Sequence, residues 1–280
     1  MTNAKKVIVN RMIEMNLEQY TGFFDHDWAK DFVARVPSRL TDAAGSLCLA
    51  WKEASNTHRL PWLMVHQMTA FAKGFMKGHK SHMARLIDEF RGWVLRELDG
   101  SLKRAERKTV LEGIRKIDQR LRIADQEQNA SFPAREYWDD IVQKSEFQLS
   151  ISGSQNLAYC ALVFAYEWFV VSCFRVLGGP EKYKPNEDRF WTEFTTLFGR
   201  DMKPDYWDDQ PVKIARIARN CITHLGGKTK PELIAETPAL WISPEGIVSV
   251  QPSDNRDLFT VLKGKVSQLV GELTPCSSLT

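Results

Sequence analysis

Apolar side chains recur along most of this chain at intervals of three and four, the period of a helix with one face turned inward. From Ser38 to Glu53 that face is supplied by Leu40, Ala43, Ala44, Leu47, Leu49 and Trp51. Leu60 to Met76 and His82 to Leu98 read as further helices, with Pro37 and Pro61 where breaks or first turns would fall. Val110, Ile114, Ile117 and Leu121 form a stripe on the next helix, which some surface must cover. Asn156 to Leu177 is the most apolar segment and ends at Gly178-Gly179-Pro180. Trp191 to Phe198, Pro211 to Leu225 and Leu258 to Leu273 complete the helical set. Ala239 to Ser243 and Ile247 to Val250 flank Pro244-Glu245-Gly246 as two short strands would. The pattern predicts a mostly α protein: a helical bundle with a small β-hairpin near the C-terminus.

Ala124 to Pro133 is polar, contains Gln and Asn, and ends in proline, so it is the expected boundary. It divides the chain into an N-terminal helical region, residues 1–130, and a second helical domain, residues 131–275. No period of twenty to fifty residues repeats, which argues against a solenoid.

Composition narrows the class. With 43% hydrophobic and 26% charged residues the chain of 280 is globular rather than disordered. Asn156 to Leu177 approaches the length of a bilayer span, but Glu167 at its middle and Arg175 near its end oppose that reading. A buried central helix is expected, with no membrane partner. Five cysteines, odd in number and without a C-x-x-C pair, read as reduced thiols. The first twenty residues lack the apolar stretch of a leader, so a cytoplasmic location is expected.

The net charge of +3 is small but unevenly spread. Ser101 to Arg122 holds eight Lys or Arg against three acids, a sign that suits a phosphate backbone or a solvated helix face.

The chemistry is concentrated in IARIARNCITHLGG, on the helix Pro211 to Leu225. Asn220 and His224 are four apart and share a face, while Arg219 and His224 diverge by about 140° on an ideal helix, a gap a long arginine can bend across. His224 falls in the last turn, where the helix dipole favours an imidazolium. Cutting RNA without a metal needs a base for the 2′-hydroxyl, an acid for the 5′-oxygen and positive charge on the pentacovalent phosphate. Histidine can move the protons and arginine can hold the phosphate. One motif supplies only one histidine, so a symmetric dimer that joins two motifs in one cleft would complete the set.

Arg219-Asn220 and His224, followed by Gly226-Gly227, resemble the signature of the HEPN superfamily: arginine, four to six residues and histidine on a late helix of a helical bundle. Phe164 to Phe169 is similar to an earlier bundle helix in which many members carry a glutamate, here Glu167, among bulky apolar residues. The resemblance spans about Pro133 to Leu273 and leaves the first half unexplained; Leu225 departs from the small or polar residue frequent after the histidine. It implies an endoribonuclease that leaves 2′,3′-cyclic phosphate and 5′-hydroxyl ends, commonly a homodimer in toxin or antiviral roles, with RNA as substrate and a regulatory or antitoxin protein as partner. It implies no cofactor and no metal. The expected catalytic residues are Arg219, His224, Asn220 and Glu167. Some members of the family are inactive, so a dimerisation or nucleotide-binding module is the alternative. Glu167 is expected to pair with Arg219, or with some core arginine such as Arg175 for structural reasons; Asn220 is expected to bind phosphate, orient His224 or tie down a loop.

Other clusters are weaker. His79 and His82, with His66 and Asp88, lack metal-site spacing. Neither Gly178-Gly179-Pro180 nor Leu225-Gly226-Gly227-Lys228 has the flanks of a phosphate loop. Trp207, in the loop ahead of the motif helix, is a candidate base-stacking residue for which core packing is the expected role.

Overall fold

The computed structural model describes residues 17–97, 104–130, 145–229, 241–242 and 246–276. The start of the chain read for a leader, residues 131–133 of the expected linker and most of the hairpin turn lie outside them. The helices are α1 (His26–Arg35), α2 (Thr41–His58), α3 (Leu60–Glu97), α4 (Arg104–Ala130), α5 (Ser145–Val176), α6 (Asp188–Phe198), α7 (Lys203–Tyr206), α8 (Gln210–His224) and α9 (Pro252–Cys276). Strands β1 (Trp241–Ile242) and β2 (Val248–Ser249) pair antiparallel, Trp241 opposite Ser249 and Ile242 opposite Val248. The mostly α expectation therefore holds, hairpin included.

The core is built around α5, which among the described residues is the helix apolar and long enough by composition to cross a membrane. Its Ala158, Leu162, Val163, Tyr166, Phe169 and Val170 are buried, and it packs mainly against α2, with α9 and α8 on its other sides. Small residues on α2, Ala43, Ala44 and Ala54, allow the close approach, and Trp51 beside them is fully buried. Its indole Nε1 donates to the Leu162 carbonyl at 3.1 Å, and its ring stacks on Trp28 of α1 with centroids 5.8 Å apart. Beyond Val176 the chain reverses over Gly178, at φ 93°, and Gly179, whose N–H bonds the Phe174 carbonyl at 3.0 Å. A Cβ at Gly179 would sit 2.3 Å from the Phe174 ring, so no larger residue fits that turn.

The chain does not divide at 124–133. One compact unit joins the residues up to Trp62 with those from Ser145 onward, and Leu63–Lys144 form the second. The expected partition into 1–130 and 131–275 fails because α1 and α2 bury their apolar faces on α5 and α9, contacts more than a hundred residues apart in sequence. In the second unit α4 continues helical through Ala130, so the described part of the expected linker, Ala124–Ala130, is the end of a helix. There Val110 and Ile114 are half-buried while Ile117 is exposed. Lys77 to Ser81, between two expected helices, is continuous helix within α3.

A polar network threads the first unit where α2, α5 and α9 meet. His58, Gln155 and Asn255 are fully buried. Gln155 Nε2 donates to the His58 carbonyl at 2.9 Å and Asn255 Nδ2 to Gln155 Oε1 at 2.9 Å. The His58 Nε2 lies 3.0 Å from the Gln19 carbonyl, which can only accept, so the neutral Nε2–H tautomer is the one that fits. The Arg256 guanidinium also donates to Gln19. Burial lowers the His58 pKa to about 4, with Arg256 acting in the same direction and the hydrogen bond to Gln19 opposing. A histidine that titrates lower when folded contributes full stability above its ordinary value near 6.5 and loses it as pH falls toward 4. Urea unfolding at pH 7 and pH 4.5 is expected to show on the order of 2–3 kcal/mol less stability at the lower pH from this residue. The same measurement on His58→Gln should show a slope shallower by that amount; equal slopes would exclude His58 as the source.

Candidate functional site

The motif helix α8 is defined at both ends by its sequence. Pro211 occupies the first turn, where its missing N–H costs nothing, and the helix stops at Leu225-Gly226-Gly227. Gly226 and Gly227 have φ of 60° and 85°, and the Gly227 N–H closes the last turn on the Cys221 carbonyl at 2.9 Å. A Cβ at Gly227 would come within 3.0 Å of Ile247 in the hairpin. Val212, Ala215, Ala218 and Cys221 face the core, which fixes where the other side chains of α8 stand.

Arg219 turns toward α5. Its Nη2 donates to Glu167 Oε1 at 2.5 Å, and its guanidinium lies 4.5 Å above the Phe164 ring. Glu167 therefore pairs with Arg219, as one of the two expectations has it, and the core arginine beside it is not Arg175. A second arginine, Arg216, approaches the same oxygen at 3.6 Å. It lies flat over the Trp207 indole, 3.3 Å from the ring centroid, and donates to the Trp207 carbonyl at 3.2 Å. One carboxylate thus serves two guanidiniums, and no described residue accepts from either Nε.

Burial dominates the electrostatics. It raises the Glu167 carboxyl above its ordinary range despite the pull of Arg219 and Arg216, and it lowers Arg216 to about 10 against the attraction of Glu167 and Asp208. The short Arg219 contact and the raised Glu167 value point in opposite directions. The contact shows that the pair is formed; burial works against the charge on Glu167 all the same.

Asn220 and His224 lie elsewhere on α8. With Lys213, Arg216 and Ile217 they occupy an arc of about 100° on an ideal helix, whereas Arg219 is about 140° from His224. Lys213, Arg216, Ile217 and Asn220 form one wall of an open cleft of about 260 Å³, whose other side is the Pro185–Asp188 turn. His224, one turn beyond Asn220, is exposed at the end of the same stripe. The structure therefore groups Glu167 with Arg219 and Asn220 with Arg216, and no described contact joins His224 to Arg219. The sequence reading did not single out Arg216, although the repeated Ile-Ala-Arg places it one turn before Arg219. Trp207 is 5% exposed with its face covered by Arg216, so it is a packing residue and not a platform for a base.

No family model matches this chain, and comparison with curated proteins and with solved structures likewise returns no match. Functional inference therefore stands on these residues. Arg216 and Arg219 together are electropositive, half-buried and anchored by a single acid from the central helix, an arrangement suited to holding an anion. An exposed histidine and a half-buried amide follow on the same helix.

Proposed function

We propose that this chain is a metal-independent endoribonuclease of HEPN type, acting in the cytoplasm as a homodimer. The observation that carries the reading is the Arg219-Asn220 and His224 motif at the glycine-capped end of α8, with Arg219 anchored by Glu167 of the core helix. In this reaction the RNA 2′-oxygen attacks the adjacent phosphorus, the bond from phosphorus to the 5′-oxygen breaks, and a 2′,3′-cyclic phosphate and a 5′-hydroxyl result. One His224 takes the 2′-hydroxyl proton and the His224 of a second copy protonates the leaving oxygen; arginine offsets the charge on phosphorus. Two copies are needed because each supplies one histidine. The surface of α5 supports such pairing: Leu149, Leu157, Phe164 and Trp168 are exposed within one arc of the helix, and Phe164 also covers Arg219.

The engagement of Arg219 by Glu167 and Phe164 favours a second reading, a non-catalytic nucleotide-binding or dimerisation module. One experiment decides between them. Full-length protein incubated with transfer RNA or total RNA in excess chelator is expected to yield fragments ending in 2′,3′-cyclic phosphate and beginning with 5′-hydroxyl. Intact RNA at protein concentrations where the chain is dimeric would remove the nuclease reading.

A further inference from the structure

The cleft beside α8 has two unlike walls. On the helix side stand Lys213, Arg216 and Asn220, with the apolar Ile217 between them. Opposite are Asn186, Glu187 and Asp188, and Asp208 closes one edge. Asp188 and Asp208 are both drawn to Lys203, at 3.0 and 3.8 Å, so that lysine is neutralised within the acidic side. Arg216 shares each described acid near it. Glu167 lies 3.6 Å from it but bonds Arg219 at 2.5 Å, and Asp208 is shared with Lys203. Its guanidinium is held flat by the Trp207 ring and carbonyl, so the cation is fixed before any ligand arrives.

A matching ligand carries an anionic group at one end and hydrogen-bond donors at the other, with an apolar face between. A bare phosphate would fill only part of a cleft of about 260 Å³ and would not engage the acidic wall. A nucleotide meets all three demands. Its phosphate takes the guanidinium and amide side, its sugar or base lies over Ile217, and its hydroxyl and amino hydrogens meet Glu187 and Asp188.

We propose that this cleft is a nucleotide subsite, which holds one residue of the RNA by its phosphate on Arg216, Lys213 and Asn220 and by its nucleoside donors on the Pro185–Asp188 turn. The inference rests on the reading of the chain as an RNA-acting protein, and it adds a specific place for the strand. The stripe runs on to His224, so a strand anchored here would extend along α8 toward the histidine.

The test is calorimetric titration of the full chain with adenosine 5′-monophosphate and, separately, inorganic phosphate. The mononucleotide is expected to bind at least tenfold more tightly than phosphate, on the scale of roughly one or two added hydrogen bonds. Arg216→Gln should weaken it by about tenfold or more, and Lys213→Gln and Asn220→Ala by roughly three- to tenfold. Should Arg216→Gln fail to fold, as judged by circular dichroism, the other two variants decide. Unchanged affinity in both, no binding of the mononucleotide at millimolar concentration, or equal affinity for phosphate would each overturn the subsite. No bond is cut in this assay, so the two readings fail separately. A chain that binds the mononucleotide but cuts no RNA loses only the nuclease reading, and one that cuts RNA without binding it loses only the subsite.

Discussion

Replacing His224 by alanine is expected to lower the rate of RNA cleavage by about 10²- to 10⁴-fold, the usual contribution of a positioned general acid or base. The residue is well placed for such a measurement. It is exposed, ends α8, and has no described contact with the core, so the variant should unfold at the same temperature and urea concentration as the parent. A drop in activity with unchanged stability would assign the loss to chemistry. In a symmetric dimer each active cleft contains two histidines, so mixing parent and variant chains should yield hybrid dimers with strongly reduced activity. Measured activity would then fall faster than the fraction of parent chains. Cleavage that survives His224→Ala unchanged would mean the motif is not where protons are moved.

Arg219→Ala would be a less informative probe of the same reaction. Its guanidinium is bonded to Glu167 and packed on Phe164, so removing it disturbs the α5–α8 contact as well as any phosphate it holds. The sequence alone did not reveal this difference. It placed Arg219, Asn220 and His224 on one helix, and local periodicity was sufficient for that. Which of them would be tied to the core depended on how α8 sits on α5, and the spacing of residues within a helix carries no such information. Arg216 was overlooked for a related reason. Its importance lies in Trp207 and Glu167, neighbours brought to it by the α7–α8 turn and by a helix fifty residues earlier.

The helices themselves were largely legible, because each apolar stripe is a local record of a buried face. The apolar run Asn156 to Leu177 marks the buried core helix, but its continuation back to Ser145 carries no such mark, because that end is polar on the outside and the exposed Leu149 gives a mixed signal. The partition into domains was misread. A polar run such as Ala124 to Ala130 resembles a linker unless one knows that the helix continues through it, and nothing local shows that α2 will pack on a helix a hundred residues away. The cleft was invisible in the sequence: its walls come from the Pro185–Asp188 turn, the Trp207-Asp208 edge and α8, and only the folded chain brings them together.

Exchanging Glu167 for glutamine is expected to destabilise the protein by about 2–4 kcal/mol, somewhat below the range for breaking a fully buried ion pair. Glu167 and its two arginines retain only 12–18% of their side-chain exposure. Burial disfavours the ionised carboxylate, against the pull of Arg219 and Arg216. The cost arises at the arginines. Without Glu167 two guanidinium cations remain side by side in a site with little water. The direct check is a double-mutant cycle by urea denaturation. Arg219→Met should be costly alone, but Glu167→Gln combined with Arg219→Met should cost less than the sum of the two by about 1–3 kcal/mol, since the double variant removes one charge of each sign. Additive losses would show that Glu167 and Arg219 are not coupled and that the cost of Glu167→Gln arises from its other neighbours, Arg216 first among them.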